Sequence, residues 1–211
     1  IGVRYGKFYA ASDVFNIEIK GKTAHAATPE RGIDALQAAS EIALRFRAVP
    51  QEYTDRCVVT VGRLNAGVKE NTVAETAEMT GIIRTLGPEM RESVKKRVSE
   101  ICSDVQDRTG AEVILHLKSN HAGVVNTDEE TALAERAIAD LLGPEHVVRI
   151  EVPTMVSEDF GFFVWASSGS FYHIGAGCTE SLHSSHFLPD ESVIALGAAV
   201  HAAVLTEYLN S

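Results

Sequence analysis

This 211-residue sequence has only three cysteines, no CxxC pair and no large cluster of basic residues. Each shortage excludes something. Cys57, Cys102 and Cys178 are far apart and odd in number. A disulfide framework is therefore excluded, and a reducing, cytoplasmic compartment is expected. The formal net charge is −10 and no run of Lys and Arg exceeds the three residues Lys95-Lys96-Arg97, so no nucleic-acid partner is expected, because that would need a larger clustered basic patch. No apolar run is read as approaching the ~20 residues that span a bilayer, and no membrane partner is expected. The opening "IGVRYGKFYA" lacks the ordered basic, apolar and cleavage regions of a secretory signal. The chain starts at Ile1 rather than Met, which raises the expectation of further sequence upstream.

An ordinary globular balance of apolar and charged residues is present, enough for a sizeable core. Residues 14–20, "VFNIEIK", alternate apolar and polar and predict a half-buried strand. Residues 32–49 place Ile33, Leu36, Ala39, Ala43 and Phe46 at helical spacing, with Pro50 closing the helix. Two β-rich stretches, 56–67 and 75–86, are joined by a short link and predict a hairpin. Residues 87–110 carry the stripe Met90, Val94, Val98, Ile101 and Val105, with Pro88 at the start and Gly110 at the end. Residues 111–119 form the last strand. The order β-α-β-β-α-β over roughly 13–120 is the ferredoxin-like arrangement, an α+β unit. The remainder reads as α/β: a helix over 127–143 opened by a Thr127/Glu130 capping box, strands at 147–152 and 169–175, and a long helix over 190–209. It has too few strands to cover its own helices and looks like half of a larger sheet.

Four stretches could carry chemistry. They are His25 in "GKTAHAATPERG", Asn71 in the turn "NAGVKENTVAE", "SEDFGFF" with Glu158 and Asp159, and "SLHSSHF" with His183 and His186. Taken singly, each has an ordinary explanation. A loop histidine is usually solvated, Asn suits turns, two acids before an aromatic cap short helices, and two histidines without a neighbouring acid are a poor metal site. Cys57 and Cys102 lie in apolar patterns and read as small core residues. Nothing marks Cys178 as an activated thiolate, so a Cys-His nucleophile is disfavoured.

Taken together, in order, these motifs resemble the zinc-dependent aminoacylase and carboxypeptidase family, in its branch of hippurate, auxin-conjugate and N-acyl-amino-acid amidohydrolases. The resemblance rests on "AASDVFNIEIKGKTAHAATPERGIDAL", "VVTVGRLNAGVKENTVAETAEMTGIIRT", "SEDF", "GSFYHIG" and "LHSSHF", and it covers essentially the whole chain. It implies an α/β catalytic domain holding two zinc ions, with Mn, Co or Ni as possible substitutes, and a ferredoxin-like lid that dimerises. It implies that His25 stabilises the oxyanion, often in the partner subunit's site. It also implies that Asn71, Arg84, Glu158 and Gly175 face a small N-acyl amino acid or peptide substrate, and that His183 is a metal ligand. The family's His-x-Asp, Cys-Gly-His and catalytic Glu-Glu segments are absent, and the one Glu-Glu pair, Glu129–Glu130, reads as capping. The expected division is therefore the end of a first catalytic segment at 1–12, the lid at 13–120 and a second catalytic segment at 121–211. Such a fragment would be inactive alone, and His183 alone could not hold zinc. Smaller departures are Val73-Ala74 and Ser168 at places where the family often has proline, and "HAGVVN" at 121–126 where it has Pro-Pro. The rival reading is a non-catalytic ferredoxin-like dimerisation or small-molecule-binding module.

Overall fold

The computed structural model describes all of residues 1–211. In chain order the elements are β1 (Gly2–Val3), β2 (Gly6–Tyr9), β3 (Ala11–Lys20), α1 (Ala35–Ala48), β4 (Val58–Ala66), β5 (Thr76–Thr85), α2 (Pro88–Thr109), β6 (Glu112–His121), β7 (Val124–Asn126), α3 (Asp128–Leu142), β8 (Val148–Arg149), α4 (Gly161–Ala166) and α5 (Ser192–Asn210). They fall into two compact units. One is Tyr9–Gly123 with Thr154–Asp159; the other is Ile1–Phe8, Val124–Pro153 and Phe160–Ser211.

The first unit is the expected ferredoxin-like fold. Its sheet runs β4-β5-β3-β6, antiparallel throughout. Alternation along β3 buries Phe15, Ile17 and Ile19 and leaves Asn16, Glu18 and Lys20 exposed. The two helices cover the buried face, α1 over β4 and β5 and α2 over β5 and β6. Phe15 meets Phe46 of α1 edge to face at 5.2 Å, a favourable aromatic geometry. Gly81, opposite Phe15 on β5, makes room for that ring: a Cβ there would lie 2.3 Å from Phe15 Cζ. Asp34 caps α1, its Oδ1 accepting from the N–H groups of Leu36 and Gln37.

The predicted stripe on α1 is rotated. The buried residues are Ala35, Ala38, Ala39, Ile42 and Phe46, while Leu36 is 45% exposed. In an alanine-rich helix two overlapping stripes satisfy the 3.6-residue period. The sheet takes the one centred on Ile42 and Phe46, whose alanines allow close approach. On α2 the predicted stripe holds from Val94 to Val105, joined by Cys102. Asp13 is buried, with its two oxygens each 2.8 Å from Arg91 and Lys95 at 3.4 Å. Burial works against the charged carboxyl. The Arg91 hydrogen bonds and charge, then Lys95, outweigh it and hold Asp13 below the usual carboxylate range.

The second unit has a small core, with Val3, Ala134, Ile138 and Val200 fully enclosed where α3 and α5 pack. Its strands are short: β1 pairs with β8 in parallel, and β2 with β7. Three expectations are corrected here. Residues 169–175 are not a strand. The Asn126 side chain receives Phe171 N–H and donates to Phe171 O, each at 2.8 Å, and Thr127 N–H goes to Gly169 O, so the ladder bonds are already taken and only His173 pairs with Gly2. The capping box does not form, because the Thr127 hydroxyl accepts from Gly169 N–H instead of from its own helix. Last, α5 at 19 residues is by length and composition long and apolar enough to cross a membrane. It has no Asp, Glu, Lys or Arg from Ser192 to Thr206, and it draws much of its hydropathy from alanine and valine interrupted by Gly197 and His201, which do not stand out as one apolar run.

Candidate functional site

The loop carrying His25 is closed by main-chain pairing at its base. Lys22 and Ile33 exchange two hydrogen bonds of 2.9 Å. Gly21 makes that closure possible, since a Cβ there would lie 2.1 Å from Ile33 O. At the tip, Ala27 N–H donates to His25 Nδ1 at 3.0 Å. Nδ1 is thereby the acceptor, and in the neutral ring the proton sits on Nε2, facing solvent as a donor. The turn between β4 and β5 lies against this loop. Ala26 N–H donates to Asn71 O at 3.0 Å, Val73 N–H to Ala24 O at 2.9 Å, and His25 bridges Thr72. Residues separated by 46 positions are thus brought together, with His25 and Asn71 both exposed.

Arg84 is not beside them. It is near the far end of β5, opposite Ser12, whereas Asn71 precedes the other end at Thr76. Arg84 is eight steps along the strand from Thr76, about 27 Å at ~3.4 Å per residue. Arg84 is bound instead to the strap 154–159, its Nη1 donating to Met155 O at 3.0 Å and to Ser157 Oγ at 3.2 Å. Both bonds leave from Nη1, so the Nε and Nη2 edge of the guanidinium still offers a fork suited to a carboxylate. The strap carries Glu158 and is fastened at two further points. Ala10 N–H donates to Val156 O at 3.1 Å, and His121 Nδ1 lies 2.8 Å from Asp159 Oδ1. Burial, with the Glu158 charge second, raises the Tyr9 phenol. His121 and Ser157 were not singled out from sequence. The available signal was the unusual "HAGVVN" and the serine that opens "SEDF".

In the second unit, Gly175 is exposed with open space where a side chain would be. His183 is exposed and is the one non-glycine residue with positive φ, at 70°. A left-handed non-glycine backbone costs roughly 1–2 kcal/mol and concentrates at functional positions. His186 is held apart by its own turn, its N–H donating to Ser184 Oγ. No three His, Cys, Asp or Glu side chains converge as a metal cluster, so the residues of this chain do not by themselves fit a zinc centre, which needs three or four ligands. An open cleft of about 290 Å³ lies between α3 and α5, lined by Glu130, Tyr172, His201 and Tyr208 among others. It contains none of the sequence-derived candidates. The cysteines offer no nucleophile in the core: burial raises Cys57 and pushes Cys102 up to about 12.

Comparison with known proteins agrees with this arrangement. Residues 12–110 match the family model of the peptidase dimerisation domain. The chain is 33% identical over 198 residues to N-acetyldiaminopimelate deacetylase of Halalkalibacterium halodurans, covering 92% of this chain and 53% of that protein. It is 34% identical over 187 residues to the enzyme of the same name from Streptococcus thermophilus, covering 87% and 49%. A Bacillus subtilis peptidase of the M20 family, described as dinuclear and metal-binding, superposes with a TM-score of 0.80 at 26% identity, over 98% of this chain and 53% of that one. A structure from methicillin-resistant Staphylococcus aureus reaches a TM-score of 0.91 at 21% identity, over 98% and 55%, which speaks for the fold alone. The chain spans about half the length of the curated relatives it matches. The ferredoxin-like unit with its histidine loop is thus a peptidase dimerisation domain of the M20 type at residues 12–110, and nearly the whole chain is similar to about half the length of deacetylases and of an M20-family peptidase.

Proposed function

We propose that this chain is the substrate-binding and dimerising half of a metal-dependent amidohydrolase that cleaves the amide of small N-acyl amino acids. The relatives' names point to an N-acetylated diamino acid as the substrate class. The observation that carries the reading is the 3.0 Å bond from Ala27 N–H to His25 Nδ1. It occupies Nδ1 as an acceptor and leaves Nε2–H as the donor, which is what a developing oxyanion requires. Asn71, joined to the same loop, would bind the substrate's polar groups. Arg84 would pair its open edge with the substrate carboxylate, and Glu158 and Gly175 would each face the substrate, as the resemblance implies. His183 would supply one metal ligand, with the others on residues outside these 211. Zinc is the first candidate, and Mn, Co and Ni are the alternatives. A bound metal of this kind supplies a water acidic enough to attack at neutral pH.

The 27 Å between the His25 and Arg84 ends of one sheet gives a physical reason for a homodimer, in which His25 of one copy serves the site of the other. No nucleic-acid or membrane partner enters this reading. Three unpaired cysteines fit a cytoplasmic, reducing setting.

The test is acetate release from N-acetyl amino acids by the full-length gene product. Replacing His25 with Ala should lower kcat by about 10²–10³ with little change in KM, the usual cost of one oxyanion donor. An unchanged kcat removes His25 from the chemistry. No hydrolysis by the unmodified protein with any N-acyl amino acid favours the non-catalytic module.

A further inference from the structure

We infer that His121 is a positioning residue for Arg84: through Asp159 it fixes the strap on which the guanidinium rests, and so sets how tightly a substrate carboxylate is held. This rests on the substrate role proposed above for Arg84 and names what keeps that residue in place.

The relation begins in strand register. Ser12 of β3 lies opposite Arg84 on β5 and opposite His121 on β6. Two strand spacings, about 10 Å, therefore separate Arg84 from His121. The alternation that turns Asp13, Phe15 and Ile17 toward the helices turns Ser12, and Arg84 paired with it, to the other face. Ser12 is nevertheless only 4% exposed, on the face where Arg84 meets the strap 154–159. The strap is tied on β5, just ahead of β3, and on β6. Arg84 Nη1 donates to Met155 O at 3.0 Å and to Ser157 Oγ at 3.2 Å. Ala10 N–H donates to Val156 O at 3.1 Å, and Tyr9 bridges Thr154. His121 Nδ1 meets Asp159 Oδ1 at 2.8 Å, the shortest of these ties. Gly123 keeps the chain leaving β6 close to the same point, since a Cβ on it would lie 3.1 Å from both Ala11 N and Tyr9 O.

Each tie has its own consequence for the guanidinium. Both of its bonds leave from Nη1, so the strap decides where the Nε and Nη2 edge points. That edge binds a carboxylate with two parallel bonds, and rotating the planar group misaligns both at once. The Val156 bond lies upstream of Ser157 and the His121–Asp159 bond downstream, so the hydroxyl that Arg84 grips is held between them. An ionised carboxylate only accepts, so His121 Nδ1 carries the shared proton, and the bond forms whether or not Nε2 is protonated as well. Nothing in the local sequence pairs these residues, which are 38 positions apart.

Full-length protein carrying His121→Ala or, separately, Asp159→Ala tests this. The probes are the N-acetyl amino acid it cleaves best and the carboxamide of that compound, the latter measured as substrate or as competing inhibitor. Both changes should raise KM for the acid about fivefold, the scale of one lost hydrogen bond, with kcat and the affinity for the carboxamide unchanged. His121→Asn should restore most of the loss, because its amide N–H stands where Nδ1–H stood. The Asp159 side chain is 78% exposed, so its variant keeps the test valid should His121→Ala fail to fold, and circular dichroism reports which case applies. An unchanged KM for the acid in both variants, or an equal rise for acid and carboxamide, overturns the positioning role while leaving the amidohydrolase reading standing. Full-length protein that hydrolyses no N-acyl amino acid overturns both.

Discussion

Asp13 shows how one residue ties the ferredoxin-like unit together. It begins on the buried face of β3, where an isolated carboxylate would be costly, and is compensated by a two-pronged contact with Arg91 and a further charge from Lys95. Arg91 and Lys95 remain partly exposed, which limits the penalty when their partner is lost. Asp13→Asn should therefore destabilise the domain by about 3 kcal/mol, the low end for breaking a buried pair. The folded carboxyl is depressed below its unfolded value near 3.9. Its contribution is complete above about pH 4 and is lost as pH falls through the lower folded value. Thermal melts of both proteins at neutral pH and down to about pH 2.5 should show the gap in Tm closing on acidification. A gap independent of pH would mean that Asp13 acts through packing alone.

At the scale of elements, Arg84 and the strap 154–159 are the most informative pair. The strap has no regular secondary structure beyond a bridge at Thr154, and besides the Ala10–Val156 main-chain bond it depends on side chains for its place. Arg84→Lys keeps the charge but loses the planar fork. Amide exchange in 154–159 should quicken several-fold, and in the full-length enzyme KM for an N-acyl amino acid should rise by about tenfold or more, while exchange along β3 stays unchanged. Equal exchange in both proteins would show that Ala10 and His121 suffice to hold the strap. The pattern in β3, β5, α2 and the hairpin was legible in the sequence because strand alternation and helical periodicity are properties of a few adjacent residues. The buried face of α1 was not, since an alanine-rich helix satisfies two stripes and only the opposing sheet selects between them. Residues 169–175 misled for a related reason: their β-like composition is real, but Asn126 and Thr127 occupy their hydrogen bonds.

For the molecule as a whole, the two units differ in how much they enclose. The core of the first draws on all four strands and both helices of its fold, whereas the cluster where α3 meets α5 in the second holds four buried residues. Helix α5 buries only Val200 and leaves Ile194, Leu205 and Leu209 exposed. Few buried apolar contacts mean low local stability. In hydrogen-exchange measurements on this chain, amides of α5 should exchange well before those of β3 and β5. Exchange of both in a single cooperative step would show one folding unit instead of two.

The order of elements within residues 13–120, the ferredoxin-like class, the stripe on α2 and the resemblance that singled out His25, Asn71, Arg84, Glu158, Gly175 and His183 were determined by the sequence alone, because they rest on local periodicity and on short motifs in a fixed order. The tertiary structure alone decided that His25 meets Asn71 while Arg84 lies at the far end of β5, and that Arg84 grips Ser157 and Met155. Those facts depend on strand register and on hydrogen bonds between residues up to 73 positions apart, and no window of neighbouring residues contains both partners.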